Sequence, residues 1–125
     1  MNQAGGDTPR GRLGRRGENI AAAFLARAGY DIIERNWRCA RGEIDIIARR
    51  GRDLVFVEVK TRSGMGYGHP FESITACKLA RLRLVSRAWC LAHPDIRGTS
   101  RLDAIAVVLP RNEPYTLEHL IGVGA

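Results

Sequence analysis

The sequence predicts a single α/β domain in which a mixed central sheet is flanked by helices. Three observations carry this: two stretches with apolar residues at helical period, several short runs of β-forming residues between and after them, and a length of 125 residues with no segment long enough to act as a linker. Residues 1–11 mix Gly, Pro, Thr and Arg without periodicity and read as a disordered basic tail, leaving 12–125 as the domain. Over 13–28, Ile20, Ala21, Phe24, Leu25 and Ala28 form one apolar stripe, and Gly29 supplies the stop of a first helix. Residues 30–38 and 43–48 read as strands, RRGRD turns the chain, and 54–61 reads as a third strand. The segment 62–70, with four glycines, reads as a loop. A second helix is expected from Phe71 or Ser73 to about His93, with Ile74, Leu82, Val85 and Trp89 on one face; strands at 101–109 and 115–121 complete the order αβββαββ.

Composition narrows the function. A net charge of +7 and a pI near 10.2 favour a polyanionic partner, nucleic acid before any other. The longest apolar run, 104–110, is strand-sized, so no membrane span is expected. No apolar segment follows the basic N-terminus as a secretory signal requires, which places the protein in the cytoplasm. Cys39, Cys77 and Cys90 have no C-x-x-C pairing and read as buried small hydrophobes in a reducing compartment.

The second and third strands carry charges where a buried sheet favours valine. By alternation, Glu43, Asp45 and Ile47 share one face and Ile44, Ile46 and Ala48 the other, while Leu54, Phe56, Glu58 and Lys60 oppose Val55, Val57 and Val59. If RRGR closes a hairpin, keeping the apolar faces together makes Asp45 and Glu58 cross-strand neighbours, with Cβ atoms roughly 5 to 8 Å apart. Two carboxylates at that separation repel unless a cation lies between them. A hard divalent ion such as Mg²⁺ or Mn²⁺ accepts such ligands, and Lys60 could hold or deprotonate an attacking water. Glu18 falls at the edge of the first helix's apolar stripe, and Lys78 at the centre of the second's. The chain has 18 Arg and only 2 Lys, and those two occupy Lys60 and Lys78. Arg101 and Asp103 share a face of the fourth strand and read as a plain ion pair. Trp37 and Arg38 are expected at the rim of the site, and Tyr67 and His69 are loop residues able to contact nucleic acid.

These residues resemble the PD-(D/E)xK nucleases. Asp45, then Glu58-Val59-Lys60 on the next strand, with Glu18 on a helix, is similar to the branch containing the Holliday-junction resolvases; RNWR at 35–38, GEIDIIA at 42–48, LVFVEVKTR at 54–62 and RLDAIAV at 101–107 resemble the bacterial YraN-type family. The resemblance implies a restriction-endonuclease-like αβββαβ core and metal-dependent phosphodiester hydrolysis, with Mg²⁺ or Mn²⁺ held by Asp45, Glu58 and the Val59 carbonyl. Lys60 would be the catalytic lysine, Glu18 the helical carboxylate at the metal or its water, Lys78 an auxiliary basic residue of the second helix and Glu43 a supporting residue. DNA would be approached through Arg15, Arg38, Arg41, Arg62 and Tyr67. Resolvase-like enzymes act as dimers, which makes a homodimer the implied assembly. The alternative is a nucleic-acid-binding accessory module on the same fold with an idle site.

Overall fold

The computed structural model describes residues 8–66 and 68–124. Helix α1 (Pro9–Arg27) leads to strands β1 (Asp31–Cys39), β2 (Gly42–Arg50) and β3 (Asp53–Arg62); a single 3-10 turn (Pro70–Ser73) precedes α2 (Ala76–Ala92), and β4 (Thr99–Val108) and β5 (Thr116–Leu120) follow. The strands lie in the spatial order β1-β2-β3-β4-β5, antiparallel throughout except for the parallel pair β3 and β4 that α2 connects. A parallel pair needs such a crossover, whereas the first three strands need only turns. This is the restriction-endonuclease-like α/β arrangement that the sequence order anticipates.

Both helices start elsewhere than expected. α1 begins at Pro9, so residues 9–11 of the expected tail are helical: Thr8 caps the helix by accepting from the Gly11 N–H at 2.9 Å, and proline suits the first helical position. α2 begins at Ala76, where the Thr75 hydroxyl accepts from the Lys78 N–H at 3.1 Å, while Phe71 and Ser73 belong to the 3-10 turn.

Each helix covers one face of the sheet. Under α1, Ala21 and Leu25 pack with Tyr30, Ile46, Ala48, Val55, Val57, Ile105 and Val107. Under α2, Leu82, Val85 and Trp89 pack with Ile44, Ile47, Leu54 and Phe56. The membership of Ile44 corrects the simple alternation that grouped it with Ile46 and Ala48. Its side chain joins the α2 face, so the strand changes face across Asp45. Opposite, in the register between Arg35↔Ile46 and Trp37↔Ile44, Asn36 adopts the left-handed conformation (φ 56°) that asparagine tolerates better than most residues. Trp37 joins the α2-side core beside His93 instead of the rim of a site. Of the cysteines, all free, Cys77 is exposed and only Cys39 and Cys90 are half-buried, which corrects the expectation of three buried thiols. Among the described residues no helix is long and apolar enough to cross a membrane.

Candidate active site

The β2–β3 ladder pairs residues as far as Ile46↔Val57 and stops there. Two residues beyond Val57, the Val59 N–H donates to the Asp45 carboxylate at 2.8 Å, so a side chain takes the place of a backbone acceptor where the strands diverge. That divergence opens a cleft of ≈ 680 Å³, whose walls include Glu18, Asp45, Val59, Lys60 and Arg62. Helix α1 reaches its edge because Gly17 rests directly on β3: a Cβ there would lie 2.0 Å from the Thr61 Oγ1. The same contact sets Glu18 beside the cleft.

Glu58 is only 6% exposed, yet it is not a bare charge. Lys60 Nζ lies 3.4 Å and Lys78 Nζ 3.2 Å from the same Oε2, one from two residues further along β3 and one from α2. Both lysines of this arginine-rich chain therefore converge on one carboxylate. A flexible ammonium can share a single oxygen with a second one, which two planar guanidinium forks would do poorly. Asp45 is in the opposite condition. Burial first, then the charge of Glu58, push it up to about 8, with smaller contributions from Glu18 and Glu43 and against the bond from Val59. The two acids are thus close enough to repel, as the strand pattern requires.

The other expected residues are placed unevenly. Glu18 lines the cleft but is already held by Arg35 at 3.0 Å and by the Asn36 side-chain amide at 2.9 Å. Glu43 pairs with Arg38 at 3.0 Å in an exposed ion pair; with Arg41 these two border a separate depression of ≈ 310 Å³. Arg62 is in the cleft wall, Arg15 is exposed on α1, and Tyr67 lies outside the described residues. His69 contacts Glu118 and caps the 3-10 turn, accepting from the Phe71 N–H at 3.0 Å. Among the described residues, no three His, Cys, Asp or Glu side chains stand grouped as a metal cage. The donors that converge are one neutralised carboxylate and one strained by its neighbour, and it is the second that a divalent cation would relieve.

Sequence reasoning missed Arg10, which it left in the tail although it lines the cleft, and it missed the clamp of Arg35 and Asn36 on Glu18. Asn36 carried a detectable signal, since asparagine within a strand pattern marks a left-handed or bulged position.

Arg101 and Asp103 do form an ion pair, and a larger one than expected. Asp103, 1% exposed, accepts from Arg101 Nε at 2.9 Å and from the Gly122 N–H at 3.1 Å, and its Oδ2 lies 2.7 Å from His119 Nε2. Arg101 continues to Asp53 at 3.0 Å and to the Tyr30 hydroxyl at 2.8 Å. Burial pushes Asp103 up, but the bonds from His119, Arg101 and Gly122 outweigh it and hold the carboxyl below its ordinary range.

Fold and site together define a restriction-endonuclease-like α/β domain with two acidic residues and a lysine where the second and third strands part. The chain belongs to the Uncharacterised protein family UPF0102, the YraN-type family, which it matches over residues 17–107. A UPF0102 protein of Clavibacter michiganensis subsp. michiganensis is 52% identical over 106 residues, 85% of this chain and 90% of its own length. Relatives in Renibacterium salmoninarum (50% over 112 residues; 90% of this chain and 95% of the relative) and Frankia casuarinae (44% over 110; 88% and 93%) carry the same family name.

Proposed function

We propose that this protein is a divalent-metal-dependent nuclease that hydrolyses phosphodiester bonds in DNA. The observation that carries the reading is that Asp45 and Lys60 line a cleft bordered by Arg10 and Arg62, while the buried Glu58, whose charge acts on Asp45, holds Lys60 and Lys78 together. Asp45, Glu58 and the Val59 carbonyl are the groups that would hold Mg²⁺ or Mn²⁺. Such an ion, when bound, polarises a phosphoryl oxygen and lowers the pKa of a coordinated water. Lys60 is placed to offset charge building on the phosphate, and Lys78 anchors Glu58 from the helix side. Arg10 and Arg62 neutralise flanking phosphates; no base-reading motif accompanies them, so backbone charge and DNA shape govern recognition.

A second reading, an accessory module that binds nucleic acid without cutting it, draws on two contacts: Glu58 is already neutralised by two lysines, and Glu18 is occupied by Arg35. Incubation with branched, flapped, single-stranded and duplex DNA, with Mg²⁺, Mn²⁺ or a chelator, separates the two. The nuclease reading expects metal-dependent cutting of at least one substrate, lost in Glu58→Ala and Lys60→Ala while binding persists. Binding without cutting under every metal condition establishes the accessory reading instead.

A further inference from the structure

Glu18 stands where a carboxylate would not stay unaided. It lines the cleft with Asp45 and its charge acts on Asp45, so a flexible glutamate side chain would relieve the repulsion by swinging away into water. Instead it is held, only 14% exposed, by two residues of β1. Arg35 Nη2 donates to Glu18 Oε1 at 3.0 Å, and Asn36 Nδ2 donates to the same oxygen at 2.9 Å. Arg35 is steadied in turn, since its Nη2 also donates to the Asn19 side chain at 2.7 Å.

Three features set this contact apart from an ordinary surface ion pair. First, both bonds end on Oε1, which leaves Oε2 without a partner among the described residues, yet that atom is not sealed from solvent. The oxygen left open belongs to a residue of the cleft wall. Second, Asn36 holds a left-handed backbone (φ 56°) within a strand, a conformation that costs free energy and persists where its surroundings impose it. Third, the β1–β2 register skips Asn36 and Asp45 at the same level, between Arg35↔Ile46 and Trp37↔Ile44. One irregularity thus puts Asp45 in the cleft and the Asn36 amide on Glu18.

We propose that Arg35 and Asn36 are positioning residues, which fix the Glu18 carboxylate by one oxygen so that the other serves the cation site of Asp45 and Glu58. This role rests on the nuclease reading of the cleft and adds two residues of β1 to it. Two effects of opposite sign separate it from plain electrostatics. Removing the Arg35 charge makes the neighbourhood more negative, which by Coulomb attraction alone would tighten a divalent cation. Loss of the clamp releases Glu18 and loosens the cation instead.

The test titrates the full chain with Mn²⁺ and follows the free ion by electron paramagnetic resonance. Arg35→Ala and Asn36→Gly are each expected to weaken binding about tenfold, the lower end of what partners of metal-holding side chains contribute. Glycine keeps the left-handed backbone and removes only the amide, while Arg35→Lys, which keeps a cationic donor, retains more affinity than Arg35→Ala. In a Glu18→Ala background, itself weakened, Arg35→Ala produces no further loss, a result that a merely structural arginine would not give. Arg87→Ala, which removes an arginine from the exposed face of α2, leaves the affinity unchanged. Urea unfolding confirms that each variant is folded; should Arg35→Ala not fold, Asn36→Gly decides the matter. Absence of Mn²⁺ binding by the unaltered chain overturns the nuclease reading, and the positioning role with it. Wild-type binding that Arg35→Ala tightens or leaves unchanged, that Asn36→Gly leaves unchanged, or that Arg35→Ala weakens equally with and without Glu18, overturns the positioning role alone.

Discussion

Asp45→Asn removes the charge that the fold tolerates least. Asparagine keeps the acceptor for the Val59 N–H and nearly the same volume, so the substitution isolates the carboxylate. In the folded protein burial and the charge of Glu58 push Asp45 from 3.8 up to about 8, so between those values the folded state holds a proton that the unfolded chain has released. Unfolding then discharges a proton, and stability falls as pH rises through the window, by at most about 1.4 kcal/mol for each pH unit. Above about 8 the carboxylate is ionised in both states and the full penalty stands. Relaxation around the Asp45–Glu58 pair reduces the total well below that ceiling, to about 1–3 kcal/mol of extra stability for Asp45→Asn at pH 8.5 in chelator. Urea denaturation at pH 5, 7 and 8.5 measures it, with the difference between the two proteins as the readout. A wild-type profile parallel to that of Asp45→Asn, or a variant less stable at pH 8.5, would refute the reasoning.

The same geometry fixes other outcomes. Gly17→Ala should cost about 1–3 kcal/mol in thermal or urea unfolding, because its Cβ would meet the Thr61 side chain, and Thr61→Ala should restore part of the loss. Glu58→Gln leaves two ammonium groups without their shared partner; both are partly exposed, so solvent screening limits the cost to about 1–2 kcal/mol, and Lys78→Met in the same background should recover some of it. Asp103→Asn should destabilise by about 3 kcal/mol, since Arg101 loses its buried counter-charge. Because Asp103 is held below 3.8, its contribution is present above that value and lost as pH falls below it, so acid denaturation of Asp103→Asn should start from a lower plateau with a shallower slope.

The fold and the acidic pair were legible because they rest on strong local signals. The valine and isoleucine runs around Glu58 and Asp45 set the strands, and the hairpin register followed from keeping the apolar faces together. The two lysines stood out by composition alone, and the structure joins both to Glu58. What stayed hidden was set by tertiary contact. The start of α1 lies in an Arg- and Gly-rich stretch with no apolar stripe, so the cap at Thr8 and the place of Arg10 in the cleft could not be seen. The change of face at Asp45 depends on where the β2–β3 ladder ends, a property of two strands together. Arg35 and Asn36 reach Glu18 only because a left-handed residue in β1 turns toward α1.

The most direct test of the proposed chemistry is titration of the chain with Mn²⁺ by electron paramagnetic resonance, in the presence of a non-cleavable phosphorothioate DNA. One bound ion per chain is predicted, lost or weakened at least tenfold in Asp45→Asn and in Glu58→Gln and retained in Arg87→Ala. Absence of bound Mn²⁺, or binding that both acidic-site substitutions leave intact, would contradict a metal site at the fork of the second and third strands.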